Sequence, residues 1–373
     1  MTQRQVTPRQ VTPRGTVAVL FGGRSSEHEV SCTTAGGVLG AIDRDRWDVL
    51  AVGIGRDGSW TVQSDNPEGW ALSDGEMTHV EPTARRVLLP AVAGDRQWSV
   101  ETGGVVSPLA VVDVAFPLLH GPWGEDGTIQ GALELVDVRY VGAGVLASAV
   151  GMDKQFMKAA FRAAGLPVAP DVVLGPGESA ESRRVQIEAL GLPVFVKPAR
   201  AGSSMGISRV DSWDALDAAL ADAVKHDPKV LIEAAMVGRE IETAVLGARD
   251  GVRTSPPGEI VAIGDQEFYD FEAKYFDPGA VRLDCPADIP AADASRIRAL
   301  AARAFAAVSA EGIARVDMFY AEDGTVTVNE INTMPGFTPT SMYPRMWESA
   351  GLTYSDLVEE LMQAALHRPL GLR

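Results

Sequence analysis

Apolar and polar positions alternate most clearly between residues 312 and 332, in the run GIARVDMFYAEDGTVTVNEIN. RVDMFY alternates, breaks on Glu322, Asp323 and Gly324, and TVTVNEIN returns with β-branched spacing. That pattern predicts a β-hairpin with Asp-Gly at its turn. Side chains two apart on a strand share a face, so Glu330 and Asn332 point the same way. Asp317 stands on the partner strand, with Arg315 two residues before it. A carboxylate facing a carboxylate and an amide is an oxygen-only site, which suits magnesium with phosphate and water as its other ligands. A solvated hairpin face carrying ordinary charges accounts for the same residues.

The chain opens with a second strong pattern. TVAVLF at 16–21 reads as a buried strand, followed by GGRSS and the helical EHEVSCTTAGGVLGAI. Strand, glycine turn and serine-capped helix is how an α/β domain begins. GGRSSE is not G-x-G-x-x-G, so a nicotinamide site is not indicated. Backbone N–H groups at the helix start could hold a carboxylate. Glu27 there is either a favourable first-turn acid or a carboxylate for a substrate ammonium. WDVLAVGIGRDGSW is a further strand with an Asp-Gly turn, and residues 69–107 show little periodicity and read as an elaborated loop. VVDVAFPLL ends at His120 and the loop GPWGEDGT, before a helix over IQGALELV. A histidine at the C-terminal end of such a strand is structural or sits at a ligand site. SAVGMDKQFMKAAFRAAG reads as one helix closing at Gly165, the first domain boundary.

The middle of the chain is built of strands. VFVKP at 194–198 leads into the glycine-serine loop ARAGSSMG, and ISRV leads out of it. Lys197 precedes the glycines and lies on a strand, so this is not a Walker loop. Such a tip is a phosphate-covering lid with backbone donors, or a plain mobile hairpin. Ser212 is expected to cap the helix WDALDAALADAVKH, and VLIE and REIETAVL are strands. The loop FYDFEAKYFD holds too many aromatics to stay unpacked, and its Lys274 and Tyr275 could reach a site. Helices are expected over about 292–308 and 354–366.

Composition narrows the function classes. At 373 residues the chain has room for two or three domains. Its formal charge of −17 disfavours nucleic acid and anionic membrane as partners, so any nucleotide must be held by local cations and N–H groups. No apolar run approaches a membrane span. Cys32 and Cys285 form neither a CxxC nor a disulfide framework, which fits a reducing cytosol. The opening MTQRQVTPRQVTPRG repeats RQVTP in tandem and reads as a disordered tail over 1–15, not a signal peptide.

Lys154, VKPARAGSSMG, VLIEAAMVGRE, FEAKY, RVDMF and NEINTMPGFT, in this order, resemble an ATP-grasp enzyme. GGRSSEHEVS, LHGPWGEDGTIQG, FYDFEAKY and NTMPGFTPTSMYP narrow the resemblance to the D-alanine–D-alanine ligase family, over about residues 16–370. The resemblance implies a fold of mixed class, α/β and α+β. An N-terminal parallel α/β domain (16–150) precedes a two-part ATP-grasp fold, with a lid domain (151–247) and a catalytic domain (248–373). It also implies a cytoplasmic homodimer that joins two D-alanines through a D-alanyl phosphate for peptidoglycan synthesis, using ATP. Two magnesium ions are implied, with manganese as a substitute and potassium as a further candidate ion.

By resemblance, Lys154, Lys197 and Lys274 serve the nucleotide phosphates, with Ser203 and Ser204 in the loop that covers them. Glu233, Ala235 and Met236 meet the adenine, and Glu240 the ribose. Asp317, Glu330 and Asn332 hold the metals. Glu27 meets the ammonium of the first D-alanine, with His120 beside it. Arg315 and the Gly336 N–H stabilise the oxyanion, and Ser341 with Met342 holds the second D-alanine. Glu27, Ser203 and Tyr275 match a hydrogen-bonded trio that closes the site. Ala201 stands where an acid is expected, and Thr340 where a bulkier residue is expected. D-Alanine–D-lactate ligases carry a histidine in place of the Lys-Tyr pair, and none lies between His226 and His367. A silent ATP-binding homologue would lack Arg315, Lys197 or a metal ligand, and a carboxylase would lack these N-terminal motifs.

Overall fold

The computed structural model describes residues 15–72, 77–202, 205–248, 250–263 and 281–369. The first sheet has seven strands: β1 (Gly15–Gly22), β2 (Trp47–Ile54), β3 (Trp60–Val62), β4 (Arg86–Leu88), β5 (Gln97–Thr102), β6 (Val105–Val111) and β7 (Val114–Pro117). Their order is β6-β5-β4-β3-β2-β1-β7. Only β2, β1 and β7 run parallel, and β3 to β6 extend the sheet in antiparallel fashion. Part of the stretch 69–107, read from sequence as a loop, is therefore sheet: β4, β5 and the start of β6. β6 is an edge strand largely exposed on both faces, so it carries no alternation to read. Its Pro108 and the irregular register against β5 blunt that edge against further pairing.

Helix α1 (His28–Ala41) follows β1, and α2 (Thr128–Leu135) follows the loop after β7. Neither Ser25 nor Ser26 is the N-cap of α1; Glu27 is, and the Ser25 hydroxyl instead accepts the Glu27 N–H at 3.2 Å. The long helix expected over 148–165 is two helices, α3 (Val145–Met152) and α4 (Lys154–Ala163). Asp153 adopts an extended conformation between them and caps α4, accepting the N–H groups of Gln155 and Phe156. A capping carboxylate thus overrides the continuous helical pattern, and Lys154 becomes the first residue of α4.

The second sheet has the order β10-β9-β11-β8, all antiparallel, from β8 (Asp171–Leu174), β9 (Val194–Pro198), β10 (Ser208–Val210) and β11 (Val230–Ala234). Helices α5 (Arg184–Glu188) and α6 (Leu216–Ala223) pack on it, around a core of Leu174, Ile187, Val194, Val196, Leu216 and Ile232. Ser212 makes no side-chain cap.

The third sheet joins β12 (Arg239–Ala248), β13 (Gly251–Thr254), β14 (Gly258–Ala262), β15 (Val281–Asp284), β16 (Ile313–Tyr320) and β17 (Val326–Asn332). β12 pairs with β16 from Arg239 to Leu246, so β12, placed almost wholly before the boundary at 247, belongs to this sheet. Helices α7 (Ala291–Ala307), α8 (Met342–Ser349) and α9 (Tyr354–His367) complete the chain. α3 and α4 belong to this part as well: Ala147, Met157 and Phe161 share a core with Ile297, Phe305, Val316 and Val328. A further core fuses the first and third units. Phe337 packs against Phe116, Tyr343 and Tyr354 with ring centroids 5.4–6.2 Å apart. The second sheet alone keeps its apolar core to itself.

Candidate active site

The hairpin of β16 and β17 forms as its pattern predicts. Asp317 lies opposite Glu330, and Arg315 opposite Asn332. Gly324 takes a φ of +84°, which the turn requires, and Asp323 accepts the Thr325 N–H at 2.8 Å. Arg315 forks onto Asp317 through two hydrogen bonds of 2.7 Å and lies 3.2 Å from Glu242 on β12. The Asn332 amide donates to Asp317 at 2.9 Å. The Lys154 ammonium stands 3.5 Å from Glu330 and donates to the Ala201 carbonyl at 3.0 Å.

Lys197 on β9 and Lys158 on α4 both contact Glu233 of β11. Glu233 is therefore shared between two lysines, with Asp171 a further 3.8 Å from Lys158. Burial, with Lys154 adding to it, pulls Lys197 down to about 8. Burial, with Lys197, Arg162 and Lys154, pulls Lys158 down to about 6. The loop after β9 is held at its base: Arg200 forks onto Asp227 at 2.7 and 2.9 Å.

That loop reaches the first unit. Ser26 Oγ lies 3.7 Å from Met205 Sδ, and a Cβ at Gly202 would stand 3.6 Å from Glu27 Oε2. Glu27 in turn leans on Gly121, where a Cβ would approach its Oε2 to 2.6 Å, and the φ of +71° there favours glycine. His120 is buried: its Nδ1–H donates to the Met334 carbonyl at 3.2 Å, and its Nε2 pairs with Thr34 Oγ1 at 3.2 Å. Burial lowers its pKa against the opposing charge of Glu27, which keeps the ring neutral.

The loop after Asn332 carries Met334, Gly336 and Ser341. Ser341 caps α8, accepts the Thr338 N–H at 3.1 Å, and would lie 3.3 Å from a Cβ on Gly336. Taken with their chain neighbours, these groups close a ring: Glu330 to Lys154 and the Ala201 carbonyl, Gly202 and Gly121 facing Glu27, and His120 bonded to Met334, which lies two residues after Asn332. A cleft bounded by cations, carboxylates and backbone donors on three separate elements suits group transfer from a polyphosphate to a small zwitterion.

The comparisons with known proteins point the same way. Residues 16–143 match the family model for the D-ala D-ala ligase N-terminus, and residues 160–363 that for the D-ala D-ala ligase C-terminus. The chain belongs to the D-alanine–D-alanine ligase family. It is 58% identical to the D-alanine–D-alanine ligase of Paenarthrobacter aurescens, covering 98% of each chain. It is 52% identical to that of Streptomyces coelicolor, over 96% of this chain and 94% of the relative. The solved structure of the VanG D-Ala:D-Ser ligase from Enterococcus faecalis is similar with a TM-score of 0.80, 32% identity, and 94% and 99% of the two chains covered. The D-alanine–D-alanine ligase from Coxiella burnetii gives a TM-score of 0.79 at 32% identity, with 95% and 94% covered. The fold is accordingly the ATP-grasp architecture behind an N-terminal α/β unit.

Of the residues singled out from sequence, Lys154, Lys197, Glu233, Arg315, Asp317, Glu330, Asn332, Glu27, His120, Gly336 and Ser341 fall along this ring or directly beside it. Ala235 donates its N–H to the Pro193 carbonyl at 3.1 Å, just past β11. Met236 follows it, and Glu240 lies on β12. Met342 is different: its side chain is buried in the core against Gly258, which leaves only its backbone N–H at the helix start for a ligand. Ser203, Ser204, Lys274 and Tyr275 lie outside the described residues.

Sequence reasoning passed over Lys158, Glu242 and Glu125. Lys158 sits between Met157 and Phe161 on the buried stripe of α4, and a lysine there is the signal that was available. Glu125 accepts the Gly121 N–H at 2.9 Å and the Met334 N–H at 3.1 Å. Burial, reinforced by the charge of Glu27, raises its carboxyl to about 8.

Proposed function

We propose that this chain joins two D-alanines to D-alanyl-D-alanine at the expense of ATP, releasing ADP and phosphate, and so supplies peptidoglycan synthesis. The ring of contacts around the cleft is the observation that carries the reading. It supports reading Lys154 and Lys197 as the phosphate side and Glu27 with His120 as the amino-acid side, with Arg315 held on Asp317 and Gly336 two residues after Met334.

A carboxylate oxygen of the first D-alanine attacks the γ-phosphorus of ATP, and ADP leaves. The amine of the second D-alanine then attacks the acyl carbon of the D-alanyl phosphate, loses a proton, and phosphate leaves. Lys154 and Lys197 offset charge on the phosphoryl group as it moves, where positioning and electrostatics supply most of the rate. Glu27 holds the ammonium of the first substrate. Arg315 and the Gly336 N–H face the oxygen that becomes negative in the second step, where fixed donors help most. Ser341, at the start of α8, receives the carboxylate of the second substrate. The second sheet, with its separate core, is the lid that excludes water from the acyl phosphate. By the family resemblance, Lys274 serves the γ-phosphate, and Ser203 and Tyr275 join Glu27 in closing the site; Ser203, Ser204, Lys274 and Tyr275 lie outside the described residues.

Asp317, Glu330 and Asn332 fit divalent cations. They offer hard oxygens on adjacent strands, and both carboxylates are already held close to cations, Arg315 and Lys154. Among the described residues no group of three or more His, Cys, Asp or Glu could hold a metal ion, so the Asn332 amide and non-protein oxygens would have to complete the set. A cation there keeps positions for phosphate and water, as magnesium does. When bound, it offsets phosphate charge; we take magnesium as the working ion, manganese as a substitute, and potassium as an accessory. No described helix is long and apolar enough to cross a membrane. Both cysteines are free, which fits a reducing compartment such as the cytoplasm, and the homodimer rests on the family resemblance alone.

Phosphate release from ATP and magnesium tests this reading, with D-alanine alone and with D-serine or D-lactate added, and products weighed by mass spectrometry. D-Alanyl-D-alanine from D-alanine alone is expected. A mixed dipeptide or depsipeptide as the main product would move the second substrate. No D-alanine-dependent release would overturn the function.

A further inference from the structure

We propose that Glu125 is a positioning residue that clasps the loop of the first-substrate pocket to the backbone leading into the oxyanion donor. The two halves of the acyl-transfer site then move as one. This rests on the function proposed above.

The loop after His120 is rigid on its own account. Gly124 and Glu125 both donate their N–H groups to the Gly121 carbonyl, at 3.1 and 2.8 Å. Asp126 accepts from the N–H groups of Trp123 and Thr128 at 2.8 and 2.9 Å. Gln130 donates to the Gly124 carbonyl at 2.8 Å. Within this frame the Glu125 carboxyl divides its two oxygens. Oε1 accepts the Gly121 N–H inside the loop, at 2.9 Å. Oε2 accepts the Met334 N–H across the cleft, at 3.1 Å.

Met334 is thereby gripped at both backbone groups, because its carbonyl accepts from His120 at 3.2 Å. It lies two residues after Asn332 and two before Gly336. Its side chain is buried in the core shared by the first and third units. A displacement of Met334 would carry the Gly336 N–H with it, while Gly121 carries the surface on which Glu27 rests. Glu125, with His120 on the neighbouring carbonyl, therefore holds the distance between the group that meets the first substrate and the donor that meets its reacting oxygen. Misplacement of such a pair by about 1 Å costs on the order of 10²-fold in rate.

Glu125→Gln tests this with little change of volume, because the amide keeps one acceptor and turns an N–H toward the other donor. Two readouts are taken on the full chain. Amide hydrogen exchange over 332–337 and at Gly121 is expected to quicken about tenfold or more, with α9 unchanged. Turnover is expected to fall about 10- to 100-fold, with the KM for ATP within about twofold. Glu125→Asp, shorter by one methylene, is expected to show the same exchange change. Unchanged exchange at Met334 in both variants overturns the clasp, whatever the activity. Faster exchange with unchanged turnover overturns the positioning role, and so does exchange that rises across the whole chain. Absence of D-alanine-dependent turnover in the unmodified protein sinks the proposed function, and the exchange readout still decides the clasp.

Discussion

Arg315 is the residue whose removal should separate stability from chemistry most clearly. Its guanidinium forks onto Asp317 and approaches Glu242, and the three side chains are 14%, 15% and 6% exposed. Arg315→Ala leaves two nearly buried carboxylates side by side without their cation. Breaking a buried pair in this way typically costs about 3–5 kcal/mol. The Asn332 amide, at 2.9 Å from Asp317, is a neutral donor and cannot replace the charge. Loss of an oxyanion donor separately costs about 10²–10³ in turnover.

The assay is thermal unfolding with and without magnesium at constant ionic strength, together with ADP release. Arg315→Ala should unfold at a lower temperature and regain part of the loss with magnesium, because a divalent cation neutralises the same carboxylates. The unmodified chain should gain less. Arg315→Lys should recover most of the stability and little of the turnover, since an ammonium keeps the charge but not the two-point fork. Its affinity for ATP should change little in either variant. An Arg315→Ala protein with an unshifted midpoint and turnover within about threefold of the original would refute both parts of the argument.

Three further outcomes are expected. Lys197 is held down to about 8 by burial, and only its protonated form attracts phosphate, so ATP affinity should weaken as pH rises above about 8. Lys197→Arg, which stays charged, should flatten that profile in a binding titration from pH 7 to 9.5, and a profile identical to the original would count against the assignment. Gly124→Ala places a Cβ 2.5 Å from the Leu119 carbonyl oxygen, so the loop must shift; a loss of about 1–3 kcal/mol with reduced turnover is expected in urea unfolding. Cys32 is buried, with its thiol pushed up to about 12, whereas Cys285 is half-buried. Iodoacetamide on the native chain should therefore label Cys285 and spare Cys32, and mass spectrometry of native and denatured samples reads the difference.

What the sequence disclosed followed from periodicity. The hairpin of β16 and β17 was legible because one face is buried and the other carries chemistry, which is the case where alternation is strict. The extension of the first sheet was not legible: β4 has three residues, and β6 has no buried face to impose a pattern. The break at Asp153 was hidden because apolar spacing continues through it; only the cap geometry reveals it. The family motifs named the residues of the cleft, but not Glu125, whose partners are backbone N–H groups of residues 4 and 209 positions away. Backbone donors leave no mark on side-chain type, so no motif could have pointed to that contact.

The electrostatics of the cleft answer the difficulty that a chain of net charge −17 raises for a polyphosphate substrate. Each cation described around the cleft is already met by a carboxylate: Lys197 and Lys158 by Glu233, Lys154 by Glu330, and Arg315 by Asp317 and Glu242. Isolated lysines at these depths would lose their protons, as the downward pull on Lys158 and Lys197 indicates. The carboxylates therefore offset the charge of Lys154, Lys197 and Arg315 while no nucleotide is present, whereas Lys158 stays pulled down to about 6. On the proposed function, ATP takes over Lys197 and Lys154, and Glu233 keeps Lys158. Glu330 is then released on the face it shares with Asn332, where a divalent cation brought with the nucleotide can be received. Binding then exchanges partners: as Lys197 turns to the nucleotide its repulsion of Lys158 eases, which favours a proton on Lys158 beside Glu233.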